Sequence, residues 1–234
     1  MLSVISVGSL KASGSATVAL TLAGVAAAAD IPVALIDAAG QGELAGWAAM
    51  GAQPRHLEYV RAADIAAIER ALRGARRHGA LAIIDAGEEE AIVRASASLA
   101  DRALIPVRFS PLSAYSALVT DQLLAADARR EGKAGDRCFV ASAITTIGSG
   151  VARSIEAIIG TSDTARLPVG LSQCAAHAAP FVHGGTIFTL DETTVAGLDH
   201  ARAEAASFAH AVGMLGGVVV SVPAPGFDAQ RRAA

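Results

Sequence analysis

The chain is short of most features that would commit it to a familiar chemistry. It has only two cysteines, Cys138 and Cys174, which points to a pair of reduced thiols in a cytosolic protein rather than a bridge. Its six histidines, His56, His78, His177, His183, His200 and His210, form no metal-ligand spacing, although His177 and His183 share one irregular segment. There is no G-x-S-x-G elbow and no G-x-G-x-x-G after the first apolar run, so the hydrolase and dinucleotide classes fall away. No internal repeat or low-complexity linker interrupts the chain. Charge is scarce as well. Charged residues make up 18% and the net charge is −3, which gives no whole-protein grip on nucleic acid; a local DNA patch is left open. No basic segment precedes the apolar N-terminus, so no targeting segment is expected. The apolar stretch Val18 to Ile36 is broken by Asp30 and Pro32, and its Gly and Ala suit a helix packed closely on a sheet rather than a membrane span.

What is present is a regular alternation of elements over 234 residues, 53% of them hydrophobic. That is enough for one α/β domain with a sizeable core. Strands are expected at Leu2–Val7, Val33–Asp37, Pro54–Val60 (a short edge strand), Ala80–Ile84, Ala103–Phe109, Arg137–Ile144 and Leu167–Leu171. Helices are expected at Thr17–Ala29, Ala62–His78, from Glu88, and at Leu112–Arg130, Gly150–Ile159 and Thr194–Leu215. Gly40–Gln53 is read as a switch segment and Ser172–Asp191 as irregular or partly helical. Val218–Val222 is a candidate added strand, residues 1–222 are expected to form the domain, and 223–234 are expected to form a disordered tail. Strands alternating with helices imply a mainly parallel sheet with helices on both faces, and ligands at the carboxyl ends of the strands. Asp64 is expected as an acid in the first turn of its helix. Arg73, Arg76 and Arg77 oppose a helix dipole more readily than they form a DNA patch.

The chain is organised around Val7 to Thr17, V-G-S-L-K-A-S-G-S-A-T. An apolar strand, a turn of small residues and an apolar helix make the layout of a phosphate-binding P-loop. Its backbone N–H groups meet an anion at a helix N-terminus, and a Thr hydroxyl meets a magnesium ion. Thr17 stands where that hydroxyl belongs, with an N-cap role as its structural alternative.

Four stretches, in order, resemble the ParA/Soj/MinD family of deviant-Walker ATPases, which move plasmids, chromosomes or cell-division factors. Lys11-Ala12-Ser13-Gly14-Ser15-Ala16-Thr17 resembles the loop K-G-G-x-G-K-[ST]. Val33 to Gly42, followed by Gly46-Trp47, resembles L-I-D-x-D-P-Q-G and the G-W that follows it. Leu81 to Asp85 resembles the Walker B strand. Ala100 to Leu112 resembles A-D-x-V-L-I-P-V-x-P-S-P-L. Together they cover about half the chain. The sub-type resembled is the short one without an N-terminal DNA-reading domain, including plasmid-partition proteins and the VirC-type proteins of T-DNA transfer.

The resemblance implies a three-layer P-loop NTPase fold in a cytoplasmic protein that binds ATP and Mg²⁺. Lys11 and Asp37 are then the catalytic candidates. Lys11 would reach a nucleotide across a homodimer interface, and Asp37 would stand beside the attacking water or the metal shell. Ser13, Gly14, Ser15, Thr17 and Ser142 are the nucleotide-binding candidates, and Thr17 and Asp85 the magnesium ligands. Ser142 takes the place of an adenine-contacting Asn, and Cys174 that of an Arg in an x-x-Q-R turn. Each also has a structural alternative: a turn cap for Asp37 and Asp85, a solvated loop residue for Lys11. The iron–sulfur relatives need a bridging Cys after the Walker B strand, and Ala86 to Ala97 contains none.

Two departures bear on activity. The family's second lysine is Ala16, the loss of a charge-assisted contact worth about 1.5–3 kcal/mol, or roughly 10–100-fold in affinity. Its role in stabilising developing charge is worth on the order of 10²–10³ in rate. The second switch aspartate is Ala39. Two expectations follow. One is a ParA-like protein of DNA segregation or transfer with weakened or lost ATP binding and hydrolysis, kept as a binding module for a partner protein or DNA. The alternative is a switched ATPase that still binds Mg-ATP and dimerises on it. Whether the protein is an enzyme is left open.

Overall fold

The computed structural model describes residues 2–11, 14–132, 135–144 and 150–215. In chain order the elements are β1 (Val4–Gly8), α1 (Ser15–Ala28), β2 (Val33–Asp37), α2 (Glu43–Ala49), β3 (Leu57–Arg61), α3 (Ile65–Arg77), β4 (Leu81–Gly87), α4 (Glu90–Leu99), β5 (Arg102–Arg108), α5 (Pro111–Glu131), β6 (Arg137–Ala143), α6 (Gly150–Ile159), α7 (Ala175–Ala178), α8 (Pro180–His183) and α9 (Leu198–Val212). The strands form one six-stranded sheet in the order β3-β2-β4-β1-β5-β6, and every pairing is parallel.

The strand period of two assigns the layers. Ile5, Val7, Leu35, Ile83, Leu104 and Val140 point to one face, where α1 and α9 cover them. Their neighbours Val4, Ala34, Ile36, Ala82 and Ile84 point to the other, against Ile68 and Leu72 of α3 and Ile92 and Val93 of α4. Further along that second face, Ile105, Val107 and Phe139 meet α5 and α6. Each fully buried Leu or Ile contributes on the order of 1.5–3 kcal/mol, so a sheet buried on both faces is the main source of stability. β1 lies between β4 and β5, where the strand order reverses, and the carboxyl end of such a sheet is where ligands bind.

α1 accounts for the membrane-like stretch. Val18 to Ala27 is buried throughout, because the helix packs against both the sheet and α9. Gly24 is a close approach, since a Cβ there would stand 3.1 Å from Cβ of Thr186. No helix among the described residues is long and apolar enough to cross a membrane.

Several expectations change. Leu167–Leu171 is not a strand of the sheet. Leu167 N–H donates to Phe139 O (3.0 Å) and Leu171 N–H to Ala141 O (2.9 Å). While β6 advances from Phe139 to Ala141, its neighbour therefore advances from Leu167 to Leu171, so the segment runs out of register along the sheet edge, where proline is tolerated, with Gly170 so close to β6 that a Cβ on it would strike Ala141 O. Asp64 is the N-cap of α3 rather than a first-turn acid, its Oδ1 accepting from Ala67 N–H at 2.6 Å. Thr17 is not a cap: Gly14, left-handed at φ 80°, precedes α1. The switch segment contains a helix, α2. The last helix is shorter than expected, being bracketed by Gly197 and Gly213, both at positive φ. Val218–Val222 and 223–234 lie outside the described residues.

Candidate functional site

The turn after β1 is built from small groups because its neighbours leave no room. A Cβ on Gly8 would lie 3.0 Å from Cβ of Ala86 and 3.2 Å from Gly87 O. The turn is also held from the α5 side, where Leu10 N–H donates to Thr120 Oγ1 at 3.1 Å. Gly14 then turns the chain into α1 and, having no side chain, caps none of the N–H groups of the first turn. Those groups and the positive end of the helix dipole face outward at the carboxyl end of the sheet.

Here the structure brings together most of the sequence candidates. Lys11, Gly14, Ser15, Thr17 and Ser142 line one cavity of about 540 Å³. That is the scale of a small-molecule site. Ser13 lies outside the described residues. Ala16, in the place of the family lysine, is 6% exposed and packs into the core.

Asp37, the last residue of β2, is paired in register with Asp85, two residues before the end of β4, and each is 1% exposed. Their surroundings differ. Asp37 is engaged with the edge strand: its Oδ2 accepts from Tyr59 Oη at 2.8 Å and from Arg61 Nη1 at 2.8 Å, and its Oδ1 from Ala39 N–H at 3.2 Å. Burial, with Asp37 beside it, raises the Tyr59 hydroxyl above its ordinary pKa. Asp85 has no cationic partner among the described residues. Its Oδ1 accepts from Gly87 N–H at 3.1 Å. Burial drives its pKa up to about 7, against the Ser15 hydroxyl and the Gly87 amide, with Asp37 and Glu43 adding to the rise.

The turns after β2 and β4 interlock. Gly87 has φ 61°, and a Cβ on it would fall 2.8 Å from both Cα and Cβ of Ala39. Gln41 Nε2 donates to Glu88 Oε1 at 2.6 Å across the same seam.

Several contributors to the cavity escaped the sequence reading, Trp47, Phe181 and Arg108 among them. Trp47 of α2 lines it while buried, its indole N–H donating to Gly185 O at 2.6 Å. Phe181 reaches it from α8, and Arg108 from the end of β5. The G-W pair had drawn attention to Trp47 only as part of a resemblance. Phe181 had no local signal, and Arg108 stands at the variable position of the P-V-x run. The arginines of α3 are exposed, with Arg76 and Arg77 in its last turn and Arg73 at 3.8 Å from Glu69.

A parallel sheet with this strand order, and a glycine-opened helix at its switch point, define a P-loop NTPase fold of the ParA/MinD type. No family model matches the chain, and no curated protein matches it. Solved structures do. MinD in the MinC:MinD cell division complex of Aquifex aeolicus is 18% identical, with a TM-score of 0.67 over 95% of this chain and 98% of that one. Apo McdA of Cyanothece is 14% identical, with a TM-score of 0.66 over 86% and 98%. A plasmid partition protein of Borrelia burgdorferi B31 bound to AMPPNP is 14% identical, with a TM-score of 0.56 over 78% and 90%. At these identities the likeness establishes the fold.

Proposed function

We propose that the chain is a ParA-like nucleotide-binding protein of DNA segregation or transfer in which hydrolysis has been lost or strongly slowed. The observation that carries the reading is the uncapped N-terminus of α1, opening into a cavity shared by Lys11, Gly14, Ser15, Thr17 and Ser142. That arrangement suits a phosphate chain: aligned N–H donors, a helix dipole and a cation at one mouth. The plasmid partition neighbour is itself bound to AMPPNP, which supports a nucleotide as the ligand.

The residues also fit magnesium. Asp85 is a buried carboxylate with no cationic partner among the described residues, linked to the cavity by its hydrogen bond with Ser15, and half-buried Thr17 lines the same cavity. A hydroxyl, a carboxylate and phosphate oxygens are the oxygen donors Mg²⁺ takes with its retained waters. When bound, the ion would neutralise phosphate charge. The chain's own part is to position: the α1 amides hold phosphate oxygens, Ser15 and Gly87 orient Asp85, and Trp47 and Phe181 close the apolar side.

Turnover is another matter. No lysine rises from position 16, Ala39 offers no carboxylate to a water, and Asp37 spends its oxygens on Tyr59, Arg61 and the Ala39 amide. We therefore place the protein as a binding module of a partition or transfer system, a homodimer or the holder of a partner protein. Of the neighbours, MinD is seen in complex with MinC.

Calorimetric titration with ATP and Mg²⁺, run beside a phosphate-release assay, tests the reading. Saturable binding with release indistinguishable from buffer is expected. Release at the rate of an active ATPase would refute the loss of hydrolysis, and absence of binding would refute the nucleotide site.

A further inference from the structure

The cavity has lost the cation of position 16, yet it is not without a second positive group. Among the described residues, two cationic side chains line it, Lys11 and Arg108. Arg108 is the last residue of β5, the strand beside β1, with Val7 paired to Leu104. Arg108 therefore stands as many residues beyond that pair on its strand as Lys11 does on the loop. Exposed at its side chain, it makes no hydrogen bond or ion pair there with any described residue. Its backbone is fixed, the N–H donating to Ser113 Oγ at 3.0 Å.

A local irregularity aims it. Along the pairing of β5 with β6, Val107 is matched to Ala141 but Arg108 to Ala143. Ser142 is thus the extra residue of a bulge, a feature rare in parallel pairs and one that turns side chains out of strict alternation. Ser142 and Arg108, one from each side of the bulge, both line the cavity that Gly14 borders. A Cβ on Gly14 would lie 3.6 Å from Ser142 Oγ, so the bulge abuts the phosphate-binding turn itself. Among the described residues, the acidic groups lining the cavity are Glu43, exposed at the start of α2, and Glu88, which accepts from Gln41, with buried Asp85 behind Ser15.

We infer that Arg108 supplies the phosphate-binding cation that Ala16 does not, gripping the phosphate chain of the bound nucleotide from the β5 side of the cavity rather than from within the loop. The inference rests on the nucleotide-binding reading. Guanidinium suits the task, since its planar fork takes two phosphate oxygens at once and stays charged at any working pH. Its approach from the rim differs from that of a lysine inside the loop. It favours holding a phosphate chain over following charge as it moves between atoms, which agrees with binding retained and turnover lost.

The test compares wild type, Arg108→Gln and Arg108→Lys by calorimetric titration with ATP, ADP, adenosine and inorganic tripolyphosphate, all in Mg²⁺. Circular dichroism melts come first, and because the side chain is exposed and has no partner among the described residues they should coincide. Arg108→Gln should weaken ATP and tripolyphosphate by about 10–100-fold and leave adenosine within about twofold; Arg108→Lys should recover part of the loss. If Arg108→Gln binds ATP as wild type does, the inference fails while the nucleotide site stands. Equal weakening of ATP and adenosine also overturns it, because the residue would then shape the pocket rather than read phosphate. Absence of binding in wild type removes both the inference and the reading beneath it.

Discussion

Asp37 is the residue on which a catalytic and an architectural role part company. It is 1% exposed and accepts from Tyr59, Arg61 and the Ala39 amide. Asp37→Ala removes all three bonds. The ion pair with Arg61 is worth about 1.5–3 kcal/mol before screening, and the bonds from the Tyr59 hydroxyl and the Ala39 amide to the same carboxylate add about 1 kcal/mol or more. Arg61 is 42% exposed on its side chain and can return to water, so solvent screening discounts the ionic part. A net loss of about 2–3 kcal/mol remains. At about 2–4 °C per kcal/mol for a chain of this size, the melting temperature should fall by about 4–12 °C. Arg61→Ala should cost at least as much, because it strands a buried carboxylate next to the equally buried Asp85. The double variant should cost less than the sum of the singles, since neither partner is then left alone. Thermal melts by circular dichroism supply all four corners of the cycle, and ATP titration of folded Asp37→Ala should match wild type within about twofold. If both single variants melt with wild type, or if Asp37→Ala melts normally but loses nucleotide, the architectural assignment is wrong.

Other outcomes follow from the same geometry. Gly87→Ala places a side chain at φ 61° and 2.8 Å from Ala39, so it should lose about 2 kcal/mol or more, read as a lower urea midpoint. Trp47 is the only tryptophan and lines the cavity, so its fluorescence should change saturably with ATP; Trp47→Phe, which leaves Gly185 O unpaired, should destabilise by about 1–3 kcal/mol. Burial pushes the Cys138 thiol up to about 12. At pH 8 about 10⁻⁴ of it is then ionised, so a disulfide reagent should modify half-buried Cys174 at once and Cys138 only in denaturant. Replacing Ala12→Gly, Ser13→Gly, Ser15→Gly and Ala16→Lys should tighten ATP binding by about 10–100-fold. The glycines would cost about 1 kcal/mol each, and phosphate release should stay low until Ala39→Asp is added.

How much of this could be read beforehand depends on how far each feature reaches along the chain. β2 and α6 match their expected bounds, Val33–Asp37 and Gly150–Ile159, because a buried parallel strand and an amphipathic helix declare themselves within their own few residues. The parallel pairing of β1 with β4 follows from the alternation of elements, which topology rules restrict to few arrangements. Leu167–Leu171 carries the same apolar signature, yet whether it joins the sheet depends on its match to β6, and Pro168 to Gly170 spoil that match.

The site divides along the same line. Lys11, Gly14, Ser15 and Thr17 sit within one turn, so their convergence is local and legible. The tie of Asp37 to Arg61 depends on the register of β2 with β3, and the aim of Arg108 depends on a bulge opposite it on β6. Neither register is written in the residues that matter. Activity is therefore harder to read than fold in this chain. The loop's missing lysine is visible at position 16, but what replaces it is set by a neighbouring strand whose alignment only the folded sheet defines. A decayed sequence motif and a relocated one look alike until the strands beside the loop are in place. The comparison of Arg108→Gln with wild type is the measurement that tells them apart.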